Sequence, residues 1–313
     1  MRYEEIAPGL NISAVGMGCW AIGGRQWGAV DDNQSIEAIK AARAKGVNFF
    51  DTADFYGFGH SEELLGRTIG GDPEAVIATK VGLRWNKKGK IRHDLSAAYI
   101  RQACEASLKR LNRETIDIYQ IHWPDPGVSL DEILGALESL VQEGKVRYVG
   151  ACNMPLDDIK KLMGYSWFVS YQGLFHLFDQ EVREEIIPFC RDHDLKFIAY
   201  EPLAKGLLTG KFTEAPTFGL GDHRKYDNRF GLEFRDLRRK VEQVKAEAEK
   251  YNITVAQLSL ALLLYYGATS VIPGAKSASQ VAENVEALQI DRDVLERVEP
   301  SVAKYRLLKG VSD

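Results

Sequence analysis

Four side chains stand out for what they could do together: Asp51, Tyr56, Lys80 and His122. A tyrosine phenol can protonate a developing alkoxide once its pKa is brought down from about 10. A lysine ammonium beside the phenol favours the phenolate and lowers that pKa, and an aspartate paired with the lysine holds it charged and in place. An imidazole next to the acid can hydrogen-bond a substrate oxygen and steady the negative charge forming there. Tyr56, Lys80, Asp51 and His122 suit these roles in turn. The chemistry they would serve is carbonyl reduction, which also needs a hydride donor. Singly, each has a plainer reading, such as a turn aspartate or a structural histidine. Their joint order is what points to a site.

A site drawn from such distant positions needs a scaffold that gathers them. Short β-rich apolar runs recur along the chain, each followed by a stretch of helical periodicity, which is the pattern of βα units around a parallel sheet. Eight strands are expected, at 14–18, 47–50, 75–78, 116–121, 146–150, 168–171, 196–200 and 270–272. Asp51 follows the second, Tyr56 lies in its loop, Lys80 follows the third and His122 the fourth. In a parallel (β/α)8 TIM barrel those strand ends share one face, where barrel enzymes place their active sites. Capping boxes are expected at Ser129 with Glu132, Thr254 with Gln257, and Ser277 with Gln280. Ile100, Cys104, Ser107, Leu108 and Leu111 give the third helix one small-to-apolar face. No linker or composition shift divides the chain, so residues 1–313 read as a single domain. Two insertions interrupt the pattern, one at 84–94 and a long irregular piece at 212–234 before an extra helix near 235–251; the latter makes an extended loop and extra helix after the seventh strand.

The segments Phe50-Asp51-Thr52-Ala53-Asp54-Phe55-Tyr56-Gly57, Ala78-Thr79-Lys80 and Asp117-Ile118-Tyr119-Gln120-Ile121-His122-Trp123-Pro124 resemble those of the aldo-keto reductase superfamily, and the similarity in element order runs over nearly the whole chain. Within it the chain resembles the bacterial general-stress and inositol-utilisation-type reductases and, more distantly, the potassium-channel β-subunits. The resemblance implies a catalytic tetrad of Asp51, Tyr56, Lys80 and His122, with no substitutions.

For the hydride carrier, Gly16-Met17-Gly18-Cys19-Trp20-Ala21 fits a dinucleotide fingerprint, but that motif should open a helix at once. Here Gly23, Gly24, Trp27 and Gly28 prolong a loop and the helix waits for residues 31–35, so the match is set aside. Pro273-Gly274-Ala275-Lys276-Ser277 is a better anion site, because a glycine turn, a cation and a helix N-terminus coincide. The resemblance implies that it holds the 2′-phosphate of NADPH (or NADP+), with Gly274, Lys276 and Ser277 in contact and Gln280, Glu283 and Asn284 toward the adenine and ribose. It further implies that Asn153 and Gln172 meet the carboxamide, that Tyr200 stacks on the nicotinamide, that Trp20 joins the cofactor set, and that Pro202, Leu203, Lys205 and Gly206 wrap the pyrophosphate. Two departures from the family pattern stand out: Cys152 where serine is usual, and Glu201, a carboxylate beside the phosphate track.

Trp20, Trp85 and Trp123 are expected to wall a pocket for the non-polar part of an aldehyde or ketone. The run Lys87, Lys88, Lys90, Arg92, His93 reads as a solvated loop. With 45% hydrophobic and 27% charged residues and a net charge of −4, the chain carries no positive field to attract nucleic acid or a membrane. Four scattered cysteines without a C-x-x-C pair suit reduced thiols, and the first residues lack an apolar signal core, which together place the chain in the cytoplasm. The histidines show no metal-ligand spacing, so no metal is expected. The substrate is a small carbonyl or alcohol; the oligomeric state is not legible. The rival reading is a slow-turnover, NADPH-binding regulatory or redox-sensing subunit like the channel β-subunits.

Overall fold

In the computed structural model, which describes residues 1–86 and 89–302, the chain begins with an antiparallel hairpin, β1 (Tyr3–Ala7) and β2 (Leu10–Ser13). Neither is among the eight expected strands. Their signal was the Pro8-Gly9 turn pair, with Gly9 at φ 69°. The barrel follows as β3 (Met17–Gly18), β4 (Phe49–Asp51) and β5 (Val76–Val81), then, after a second hairpin of β6 (Leu83–Trp85) and β7 (Ile91–His93), as β8 (Ile116–Ile121), β9 (Val146–Cys152), β10 (Phe168–Leu174), β11 (Lys196–Tyr200) and β12 (Ser270–Val271). Eight strands pair in parallel from β3 to β12. The seam is closed by Gly16 N–H to Val271 O at 2.9 Å and Gly18 N–H to Pro273 O at 3.1 Å.

Those two seam glycines explain the false fingerprint. A Cβ on Gly18 would stand 2.5 Å from Ile272 O, and one on Gly16 would stand 2.8 Å from the Phe49 ring. Glycine is required there so that strands can meet, a packing role that imitates a nucleotide motif.

Around the barrel lie α1 (Asp32–Ala44), α2 (His60–Ile69), α3 (Ala97–Leu111), α4 (Leu130–Gln142), α5 (Leu156–Leu162), α6 (Ile186–Asp192), α7 (Phe234–Glu249), α8 (Val255–Tyr265), α9 (Ala278–Glu286) and α10 (Arg292–Val302). The expected face of α3 is buried throughout. Of the three expected capping boxes only Thr254 with Gln257 is complete. Ser129 and Ser277 do cap their helices, but Glu132 reaches across to the Ala97 N–H that opens α3, and Gln280 accepts from Lys276 N–H. A tertiary partner in the first helix, and a different local one in the second, replaces the reciprocal bond.

Inside the barrel, Phe49, Val76, Ala78, Ile118, Val169, Ile198 and Ile272 form an apolar layer, which Ile6, Leu10 and Ile12 of the hairpin plug from the N-terminal end. Burying each such side chain contributes about 1.5–3 kcal/mol. The stretch expected as a plain insertion at 84–94 is largely the β6–β7 hairpin. Of the basic run, Lys90, Arg92 and His93 are exposed; Lys87 and Lys88 lie outside the described residues. Among the described residues no helix is long and apolar enough to cross a membrane.

Candidate active site

Strand side chains alternate faces, so residues two apart along one strand stack as successive layers of the barrel interior. On β8 that sequence runs Ile118, Gln120, His122: apolar layer, polar layer, mouth. Asp51 stands two residues above Phe49 on β4, and Lys80 two above Ala78 on β5. Lys80 lies within its strand and not beyond it, because β5 runs on to Val81. The polar layer above the hydrocarbon therefore gathers Asp51, Lys80, Gln120, Cys152 and Gln172.

Lys80, 1% exposed, sends Nζ to Asp51 Oδ1 at 2.5 Å, to Thr52 O at 2.8 Å and to Tyr56 Oη at 3.2 Å. Burial works against its charge, but Asp51, followed by Tyr56 and Cys152, more than restores it and leaves the lysine pKa raised. The other Asp51 oxygen accepts from Gln172 Nε2 at 2.7 Å and Gln120 Nε2 at 3.0 Å. Such a buried carboxylate is tolerable because donors surround it. Lys80 does pull the Tyr56 phenol down, as expected, yet burial outweighs it and the net direction is up, so the phenol keeps its proton. His122 packs edge-on to Tyr56, ring centroids 5.9 Å apart. Burial, with the Lys80 and His93 charges, holds its pKa well below the usual range. A neutral imidazole results, able to donate one hydrogen bond without bringing a second charge.

These groups open into a cavity of about 780 Å³. One end holds Tyr56, His122 and Trp123; the other holds Lys276, Gln280, Glu283 and Asn284. Trp20, Asn153, Gln172, Tyr200, Pro202, Leu203, Lys205, Gly206 and Gly274 also line it. Residues 14–302 match the aldo/keto reductase family. The chain belongs to that family.

Its relatives agree. The reductase is 36% identical over 288 residues to aldo-keto reductase YhdN of Bacillus subtilis, covering 90% of this chain and 87% of that protein. It is 34% identical to the NADH-specific methylglyoxal reductase of Escherichia coli, covering 90% and 91%. Among solved structures, glycerol dehydrogenase AKR11B4 of Gluconobacter oxydans superposes with a TM-score of 0.87 at 33% identity, covering 97% of this chain and 95% of that one. Aldo-keto reductases are oxidoreductases that bind nicotinamide cofactors and act on small carbonyl compounds.

Not every expected residue reaches the reductase's cavity. Trp85 stands outside the lining, because its ring is taken up by Phe58 at 5.4 Å and Phe55 at 6.4 Å in the loop after β4. Ser277 caps α9 and meets Ser279 Oγ, also outside the lining. Trp123 is at the rim, 41% exposed. Trp20 stacks on Tyr56 at 5.6 Å and on His223 at 4.5 Å. Asn153, at φ 56°, donates to His122 O and accepts from Tyr200 Oη.

The doubtful Glu201 is neutralised in place. Its carboxylate faces Arg229 at 3.3 Å and Lys205 at 3.7 Å, and both cations also hold Asp227. Lys211, Arg224 and Arg229 all line the cavity; the two arginines come from the 212–234 segment that sequence reasoning left as a long loop, and Lys211 stands just before it. Arg224 is held by Asp222 at 2.6 Å. Phe55, Leu83 and Leu174 extend the apolar wall, and Trp27 also joins the lining. Only their position at strand ends, or in glycine-rich loops beside them, could have singled these residues out. Among the described residues no group of three potential ligands could hold a metal ion.

Proposed function

We propose that this protein is a cytoplasmic, single-domain, NADPH-dependent reductase of aldehydes and ketones, working reversibly. The observation that carries the reading is the Asp51–Lys80–Tyr56 chain beside a cavity that Lys211, Arg224 and Lys276 also line. When bound, the nicotinamide supplies the hydride. Tyr56 then gives its proton to the developing alkoxide, and Lys80, kept charged by Asp51, stabilises the phenolate left behind. This ordering suits the geometry: a protonated phenol donates, and the ammonium 3.2 Å away receives the charge. Neutral His122 orients the carbonyl oxygen. Trp20, Phe55, Leu83 and Trp123 take the substrate's apolar part and exclude water. Asn153, Gln172 and Tyr200 would hold the nicotinamide; Pro202, Leu203, Lys205 and Gly206 the pyrophosphate; Gly274, Lys276, Ser277, Gln280, Glu283 and Asn284 the adenosine end, with Ser277 acting through its capped helix.

NADPH is favoured over NADH on charge. Lys276 is half-buried at the N-terminus of α9, and burial, then the nearby Arg224, lower its pKa. Lys211 is lowered by the same two causes. Among the described residues neither lysine has an acidic group within 4 Å, and a 2′-phosphate would relieve the repulsion between these cations. The NADH-specific relative makes this a property to be measured on this chain. Fluorescence titration with both nucleotides, followed by aldehyde-dependent cofactor oxidation, tests the proposal. Preferential NADPH binding with turnover is expected; tight binding without turnover would favour the regulatory alternative, and absence of binding would refute the reading.

A further inference from the structure

The mechanism leaves a fully buried side chain of the barrel's polar layer, Gln120, without a task. Gln120 is 0% exposed, near the C-terminal end of β8, at a barrel-interior position where hydrocarbon would satisfy packing. Space is made for it: a Cβ on neighbouring Gly150 would lie 3.1 Å from Gln120 Cγ and 2.5 Å from Ser170 Oγ. Burying an amide costs several kcal/mol unless each function is partnered, and here they are. Gln120 Nε2 donates to Asp51 Oδ2 at 3.0 Å, while Gln120 Oε1 accepts from Gln172 Nε2 at 3.2 Å and from the Cys152 thiol at 3.7 Å.

The consequence falls on Gln172. An ionised carboxylate only accepts, so the Gln172 atom 2.7 Å from Asp51 Oδ2 must be its amide nitrogen. The second hydrogen of that nitrogen goes to Gln120 Oε1. Both Gln172 donors are consumed, and among the described residues no donor is placed on its Oε1. We propose that Gln120 is a positioning residue: by bridging Asp51 and Gln172 it locks the Gln172 amide with Oε1 as the one function left for the cavity. The reductase therefore reads the nicotinamide carboxamide through that group's N–H, and the same bridge ties cofactor orientation to the Asp51 that anchors Lys80. Cys152, standing where serine is usual, turns its thiol onto Gln120 and becomes part of the brace.

This rests on the nicotinamide reading above, and the test separates the two. Binding of NADPH and of adenosine 2′,5′-bisphosphate, which lacks the nicotinamide, is measured for wild type, Gln120→Met and Gln120→Glu. Gln120→Met keeps the volume and removes both polar functions. Its NADPH Kd should rise about five- to tenfold, the value of one good hydrogen bond, with adenosine 2′,5′-bisphosphate unchanged. Gln120→Glu, held protonated beside the buried Asp51 carboxylate, keeps both a donor to Asp51 and an acceptor for Gln172 and should return NADPH binding to within about threefold of wild type. Equal loss of both ligands, loss of neither, or failure of Gln120→Glu to restore binding overturns the proposal. If Gln120→Met does not fold, the NADPH-to-bisphosphate ratio of Gln120→Glu decides alone, and a drop beyond that limit overturns it. Wild type binding neither ligand would instead sink the cofactor reading.

Discussion

Buried charge sets the behaviour of the individual residues. Tyr56 keeps its proton because burial prevails over the lysine beside it, so under the proposed mechanism removing the phenolic oxygen removes the acid and little else. Tyr56→Phe should lower kcat by about 10²- to 10⁴-fold, with NADPH affinity unchanged by fluorescence titration. Lys276 offers a charge-assisted contact worth about 1.5–3 kcal/mol. Lys276→Ala should accordingly weaken NADPH by about 10- to 100-fold and leave NADH binding unaltered; parallel loss of both would remove Lys276 from the phosphate site. Asp54 shows burial outweighing compensation: it is 1% exposed, and the Arg110 and Lys80 charges do not offset the loss of water around its carboxyl. Burial, then the neighbouring Glu62, push its pKa well above the ordinary carboxylate value.

Elements decide whether those residues meet. The seam between β3 and β12 places Gly18 against Gly274, so the closure of the barrel and the start of the proposed adenosine end are one structure. Gly18→Ala would drive a methyl into the Ile272 carbonyl, backbone against backbone, with nothing flexible to yield. A loss of about 1–3 kcal/mol of unfolding free energy, read from a lowered urea midpoint, is expected, together with weaker cofactor binding. Elements also explain the uneven legibility of the sequence. α3 and α8 could be read because their faces and caps are local. Residues 212–234 could not, since Asp222–Arg224 and Asp227 with Lys205 and Arg229 acquire meaning only where that segment crosses the cavity. The β1–β2 hairpin escaped for a related reason: Ile6, Leu10 and Ile12 are buried in one cluster with the barrel interior, whose N-terminal end they plug.

For the whole molecule, stability follows pH through groups that burial has displaced. Folded Asp54 holds its proton to higher pH than the unfolded chain does, so its contribution is complete below the unfolded carboxyl pKa and is lost as pH rises toward the folded value. Asp54→Asn imitates the protonated form. It should raise the melting temperature at about pH 8 and change it little at about pH 4, where wild-type Asp54 is neutral in the folded state. The buried, neutral His122 works from the other side, since below its ordinary pKa the unfolded chain gains a proton that the folded site refuses. The sequence by itself determined the βα alternation, the family and the strand-end placement of Asp51, Tyr56 and His122, because periodicity, caps and short motifs are encoded locally. Only the tertiary structure decided that Lys80 stands inside its strand, that Trp85 faces away, that Glu201 is neutralised, and that Gln120 braces Gln172. Each of those depends on which side chains from distant strands share one layer of the barrel, and on burial that no residue creates alone.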